Sequence, residues 1–237
     1  MLTLVVERST SRPGWALFRD AVCQLEKVTD VEPSRAPDWL ARLGEALDAA
    51  GVSLAEIDRF AAGLGPGSFS GTRAAVAALQ GMALPGGKPL VGVSSAAALA
   101  FAMLSQRKER GSHTPVAVVG DARRERLWCA VYALQGERLV VCNWAGARPP
   151  THTAVDFTLT TWADLPRHLP PETAVVSPDW ERIGARLLSL LPASDLAAKP
   201  LTPAAADVGR LLLSDPAAAH ADPLPIYLHP AVAEVRV

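Results

Sequence analysis

The chain has 237 residues, 49% of them apolar and 20% charged, and a formal net charge of −1. That composition excludes a disordered chain and a strongly basic nucleic-acid binder, and allows one large domain or two lobes of about 110 residues each. Short basic clusters (Arg107, Lys108 and Arg110; Arg123, Arg124 and Arg126) read as solvated surface, with direct RNA contact as the other reading. Three scattered cysteines without Cys-x-x-Cys spacing argue against a disulfide framework or a redox site. The opening residues run straight into Glu7 and Arg8. The longest apolar run, Ala96 to Leu104, is too short to span a bilayer, so no membrane segment is expected. The expected location is cytoplasmic.

In chain order, Leu2 to Val6, Trp15 to Phe18 and Ala21 to Leu25 read as a meander of three strands, with a Pro13-Gly14 turn after the first. Trp39, Leu40, Leu43 and Leu47 recur at helical spacing between Pro37 and Ala50, and Gly51 closes that segment. Ser53 and Glu56 have the spacing of a capping box. A strand from Phe60 to Leu64 enters a glycine-rich loop, and an alanine-rich helix from Thr72 to Leu84 follows. Pro89 to Val93 reads as a buried strand, and Ser94 opens a helix through Leu104. The rhythm then returns: strands at Val116–Val119, Arg126–Leu134 and Arg138–Cys142, a strand at Ala174–Ser177, and helices at Trp180–Leu191 and Pro203–Leu213. Thr202 is the expected cap of the last helix, with Pro203 at its first position. The proline-rich stretch between Arg148 and Pro171 receives no assignment. Two units of three strands followed by alternating helix and strand predict an internal duplication in an α/β protein, divided into lobes 1–109 and 110–237.

The loop Gly63-Leu64-Gly65-Pro66-Gly67-Ser68-Phe69-Ser70-Gly71, continued by Thr72-Arg73, is the most specific segment. Glycines between a strand and a helix expose amides that suit a phosphate or carboxylate. They equally let a helix pack tightly on a sheet. The spacing is neither a Walker A motif nor Gly-x-Gly-x-x-Gly, and the loop's serines do not form a nucleophile elbow. Glu7 and Asp121 follow the first strand of each unit, where acids organise a metal around nucleotide phosphates or simply bond locally. Ser9 lies just beyond Glu7, and Arg123 just beyond Asp121. All five histidines lie beyond residue 112, without zinc-site spacing, so no metal site and no catalytic residue is assigned. Val76, Leu79 and Met82 on one helix, and Trp39, Leu40, Leu43 and Leu47 on another, either pack on their own sheet or offer a surface to a partner.

The segment Gly65 to Arg73 resembles the Gly-Pro-Gly-Ser-Phe-Thr-Gly-x-Arg signature of the TsaB (YeaZ) family, and Asp121-Ala122-Arg123 resembles that family's Asp-Ala-Arg turn. Pro225-Ile226-Tyr227-Leu228, with Val232 and Ala233, resembles its close. The resemblance implies a ribonuclease H-like, actin-like ATPase fold with two duplicated lobes, mixed sheets and flanking helices. It implies a non-catalytic scaffold and activator of a complex that adds threonylcarbamoyl to the adenosine beside the anticodon of tRNA. The implied partners are TsaD and TsaE homologues, with a homodimer in their absence through the two helices just named, and only indirect contact with tRNA. No cofactor is implied for the chain alone, although ATP or ADP is expected at the partner interface. Glu7-Arg8 replaces the family's Asp-Thr, Ser70 replaces Thr, and His229 stands for a terminal arginine. The alternative is an actin-like small-molecule kinase or ATPase using the glycine loop and the Glu7–Asp121 pair.

Overall fold

The computed structural model describes residues 1–29, 38–142, 157–191, 195–196 and 201–228. Strands β1 (Leu2–Glu7), β2 (Gly14–Arg19) and β3 (Val22–Val28) form the expected antiparallel meander. Helix α1 (Trp39–Ala49), β4 (Arg59–Gly63), α2 (Phe69–Ala83), β5 (Leu90–Val93) and α3 (Ser95–Glu109) complete the first unit. Both β4 and β5 run parallel to β1, giving the order β5-β4-β1-β2-β3. The second unit repeats this plan with β6 (Val116–Arg123), β7 (Arg126–Gln135) and β8 (Arg138–Val141) antiparallel, β9 (Thr158–Thr161) on β7, and β10 (Ala174–Val176). After α4 (Trp180–Leu190) comes β11 (Asp195–Leu196), and the order β11-β10-β6-β7-β8 mirrors that of the first sheet. The duplication expected from the sequence is therefore present in the strand order. Helix α5 (Ala205–Ser214) and β12 (Ala219–His220) follow.

Side-chain parity along the strands sorts the core into layers. Leu4, Val6, Leu17, Phe60 and Ala62 face α1 and α2. Val5, Ala16, Phe18 and Ala61 face the other way, onto α3 and α5, which meet Val116, Val118, Ala130 and Tyr132 of the second sheet. The opposite face of that sheet, with Ala117, Val119, Leu127 and Val131, carries α4. The apolar run in α3 thus fills the middle of five layers, where a helix must be apolar nearly all round. Among the described residues no helix is long and apolar enough to cross a membrane.

Two expectations are corrected. The boundary at 109/110 separates the sheets but not the packing, because α5 returns to lie on the first sheet with Phe18 against Gly209, and β12 pairs antiparallel with β5. Residues 205–220 belong with the first sheet because its inner face would otherwise be covered by α3 alone. Thr202 does not cap α5; the helix starts at Ala205, and Asp207 accepts instead from the Ala204 N–H at 3.4 Å. The expected capping pair is present, the Ser53 N–H donating to Glu56 at 2.8 Å, although the turn it opens is a single 3₁₀ turn. Strand β9 and the 3₁₀ turn Leu165–His168 occupy part of the unassigned proline-rich stretch. Pro37, residues 143–156, His229, Val232 and Ala233 lie outside the described residues.

The β6–β7 connection breaks the usual turn chemistry. Arg123, Arg124 and Glu125 have φ of 64°, 52° and 59°. These left-handed positions cost non-glycine residues on the order of 1 kcal/mol each.

Glycine packing supplies a stability test. A Cβ on Gly209 would overlap the Phe18 ring, whereas one on Gly44 meets nothing within 4 Å. Gly209→Ala is expected to lower unfolding free energy by about 1–3 kcal/mol through overpacking. Gly44→Ala should raise it by up to about 1 kcal/mol through helix propensity. Urea unfolding of both variants checks the pair.

Candidate functional site

The glycine loop leaves the C-terminal end of β4 between its parallel neighbours β1 and β5, so it meets the turn that follows β1. Helix α2 starts at Phe69, three residues earlier than expected, and Ser68 caps it by accepting from the Gly71 N–H at 3.2 Å. The Ser68 N–H donates to the Ser9 carbonyl at 2.6 Å. A Cβ at Gly67 would overlap that carbonyl, one at Gly71 the Arg8 carbonyl, and one at Gly63 the Glu7 carboxylate. Gly65 has φ +88°, a conformation that favours glycine. Of the two readings of the glycines, the structure supports close packing: the cradle is filled by the chain's own residues 7–9.

Glu7 is fully buried. Its carboxylate accepts from the Ser9 N–H at 2.5 Å and from the Ser95 hydroxyl at 2.6 Å, and Ser95 Oγ accepts from the Gly65 N–H at 2.9 Å. Three segments are therefore tied together: the end of β1, the glycine loop and the first turn of α3. Burial raises the Glu7 pKa above the ordinary 4.5, and the hydrogen bonds from Ser9 and Ser95 oppose that rise. Arg8 is also buried, with its guanidinium 4.5 Å from the centre of the Trp39 ring; burial lowers its pKa. The Ser94-Ser95 pair at the strand–helix boundary was the sequence signal for this clamp, though a cap for α3 was all it suggested.

Asp121 and Arg123 lie at the corresponding end of the second sheet, in a separate network. The Asp121 N–H donates to Asp179 at 2.9 Å, and the Arg123 N–H donates to Asp121 at 2.7 Å. Arg182 bridges both carboxylates, 3.3 Å from Asp121 and also bonded to Asp179, while the Arg123 guanidinium is 3.4 Å from Asp121. Burial raises the Asp179 pKa, with the neighbouring Asp121 charge adding to it and Arg182 opposing it. Asp179 and Arg182 escaped the sequence reading because they are distant in sequence from Asp121. Among the described residues no hydrogen bond or ion pair joins the Glu7–Ser9 pair to the Asp121–Arg123 pair.

The residues assigned to a partner surface divide sharply. Trp39, Leu43, Leu47, Val76 and Leu79 are buried against the first sheet, so they are core and not contact surface. Leu40 is 42% exposed and Met82 is partly exposed. The outward side of α2 instead carries Phe69, Arg73, Ala77, Gln80 and Gly81, followed by Leu84 in the next turn, with Phe69 58% and Leu84 80% exposed. Arg73 lies over the Phe69 ring at 5.0 Å, and Tyr227 packs against it at 5.4 Å. The Ile226 N–H donates to the Leu64 carbonyl at 2.9 Å, so the C-terminal strap holds the loop from outside.

Residues 40–145 match the family model described as TsaD, tRNA N6-adenosine threonylcarbamoyltransferase. The tRNA threonylcarbamoyladenosine biosynthesis protein TsaB of Escherichia coli is 34% identical over 139 residues, 56% of this chain and 55% of that protein. The solved structure of YeaZ from Pseudomonas aeruginosa superposes with a TM-score of 0.67 at 25% identity, covering 89% of this chain and 91% of that one. These matches together support the TsaB (YeaZ) family for this chain. Its fold is accordingly the actin-like, ribonuclease H-like one expected from the signature. A tRNA N6-adenosine threonylcarbamoyltransferase of Solidesulfovibrio magneticus is 36% identical over 108 residues, 29% of its length. The chain thus spans about half the curated TsaB and under a third of the transferase.

The Glu7 clamp gives a pH test. With a folded-state pKa above 4.5, the group's contribution to stability is full below 4.5 and is lost as pH rises through the raised value. Glu7→Gln removes that titration. Its stability relative to the unsubstituted chain should climb as pH is raised from 4.5 through the raised folded-state value. Denaturant melts across that range measure the difference, and a flat difference would mean Glu7 is not charged at a cost.

Proposed function

We propose that this TsaB-family chain is a non-catalytic partner subunit in the synthesis of threonylcarbamoyladenosine on tRNA. In this reading it supports and activates a TsaD-type transferase, a TsaE-type ATPase joins them, and the chain pairs with itself when alone. The supporting observation is the filled glycine cradle. The Arg8 and Ser9 carbonyls lie against Gly71 and Gly67, and the Ser68 N–H already serves Ser9. A phosphate at this loop would have to displace the backbone that closes it. The kinase or ATPase alternative also needs Glu7 and Asp121 free to hold a cation. Glu7 is engaged by Ser9 and Ser95 inside the core, and Asp121 by Arg123 and Arg182. Any ATP or ADP then belongs at the interface with the partner, and the chain alone needs no cofactor.

The partner surface in this proposal is the outward side of α2 with the exposed edge of α1. Ala77 and Gly81 let another helix approach closely, while Phe69, Arg73 and Leu84 supply the larger contacts that dominate interface energies. Light scattering on a sizing column, with the chain alone and then with the TsaD homologue of its source, tests this. The expected result is a homodimer replaced by a heterodimer. Ala77→Arg should weaken both by at least about tenfold, while folding changes by no more than about 0.5 kcal/mol, as for other surface substitutions. A heterodimer indifferent to that substitution would move the interface elsewhere. No complex under any nucleotide condition would contradict the subunit reading itself.

A further inference from the structure

The strained β6–β7 connection is used neither by the clamp nor by the surface of α2. Arg123, Arg124 and Glu125 are all left-handed, yet none is glycine, asparagine or aspartate, the residues a two-residue hairpin turn of this kind favours. The turn presents no apolar side chain: Arg123, Arg124, Glu125 and Arg126 are all exposed, while Ala122 beneath them is buried. The ion pairs place Arg182 and Arg186 beside the turn, Arg182 through Asp121 and Arg186 through Glu125 at 2.6 Å. Arg186 also lies 4.0 Å over the Trp162 ring. Charge is layered here. Asp121 and Asp179 are 17% and 22% exposed, below arginines that are 66%, 46% and 53% exposed at positions 123, 182 and 186. Arg124 and Arg126 have no carboxylate partner among the described residues. Asp121 and Asp179 are thus turned inward as braces, Glu125 alone of the three acids is exposed beside Arg186, and the guanidinium groups face solvent.

We infer that this hairpin end is a contact for the sugar–phosphate backbone of an RNA. Guanidinium forks fit phosphate oxygens in pairs and stay charged at any working pH. A protein-docking site would need an apolar or aromatic anchor at its centre, and the turn has none. The inference rests on the tRNA-modification reading for the identity of the RNA, and it replaces the sequence-based expectation of only indirect contact. Backbone contacts of this kind carry no base specificity; they orient a folded RNA on the protein surface.

The test is binding of a fluorescent tRNA transcript to the full chain alone, followed by anisotropy across a salt series. Arg124→Ala/Arg126→Ala is compared with Arg19→Ala/Lys27→Ala, which removes equal charge from β2 and β3 of the other sheet. The hairpin pair should weaken binding by about tenfold and reduce the slope of log affinity against log salt by about one per lost phosphate contact. The control pair should leave both nearly unchanged. Equal losses from the two pairs, or no tRNA binding by the unsubstituted chain at low salt, would overturn the inference. Loss of TsaD association in the hairpin variant with tRNA binding intact would also overturn it, making the turn a protein contact. Because heterodimer formation is measured separately, failure of the hairpin and failure of the subunit reading give different results.

Discussion

The turn after β1 lies in van der Waals contact with the glycine loop, and much of the first unit's arrangement follows from that approach. The carbonyls of residues 8 and 9 occupy the space that side chains at Gly71 and Gly67 would need, and the Ser68 N–H closes the gap with a hydrogen bond. Glu7 extends the contact inward through Ser95 to the start of α3. An ionised carboxylate there is costly by burial and is retained by two donors, so the clamp specifies position more than it adds stability. Its consequence is directional. Because the loop is closed from below, α2 leaves it at a fixed angle and its unburied side, with Phe69 and Arg73, faces out.

The same economy appears at the second sheet, where the turn after β6 is held by Asp121, Asp179 and Arg182. Both sheets of a duplicated fold thus keep acids at the ends of their first strands, and both acids are spent on internal bonds. A fold that supports many chemistries owes its function to such sites rather than to its topology. Here the ends of the strands build hydrogen-bonded turns that carry surface groups, the exposed side of α2 on one unit and an exposed arginine turn on the other.

Most of the architecture was legible because strand and helix periods are local properties. The meander, the α2 signature and the second set of three strands all follow from runs of apolar residues punctuated by glycine and proline. Four features were not. Helix α5 packs on the first sheet because Gly209 admits Phe18, a contact between residues far apart in sequence. Strand β9 owes its assignment to pairing with β7 and not to its own threonine-rich sequence. Trp39, Leu43, Leu47, Val76 and Leu79 have the pattern of an amphipathic face, and periodicity alone cannot say whether that face meets the chain's own sheet or another molecule. The Glu7–Ser95 bond joins residues 88 positions apart, so only the fold reveals that Glu7 is already partnered.

The proposed function requires that the glycine loop, closed by the chain's own residues 8 and 9, hold no nucleotide without a partner. Titration calorimetry of magnesium ATP, and separately ADP, into the isolated full chain measures this directly. The account predicts no saturable heat from either nucleotide without a partner. Saturable binding that is lost on Glu7→Gln or Asp121→Ala would show that the turns after β1 and β6 open to admit phosphate, and would contradict it.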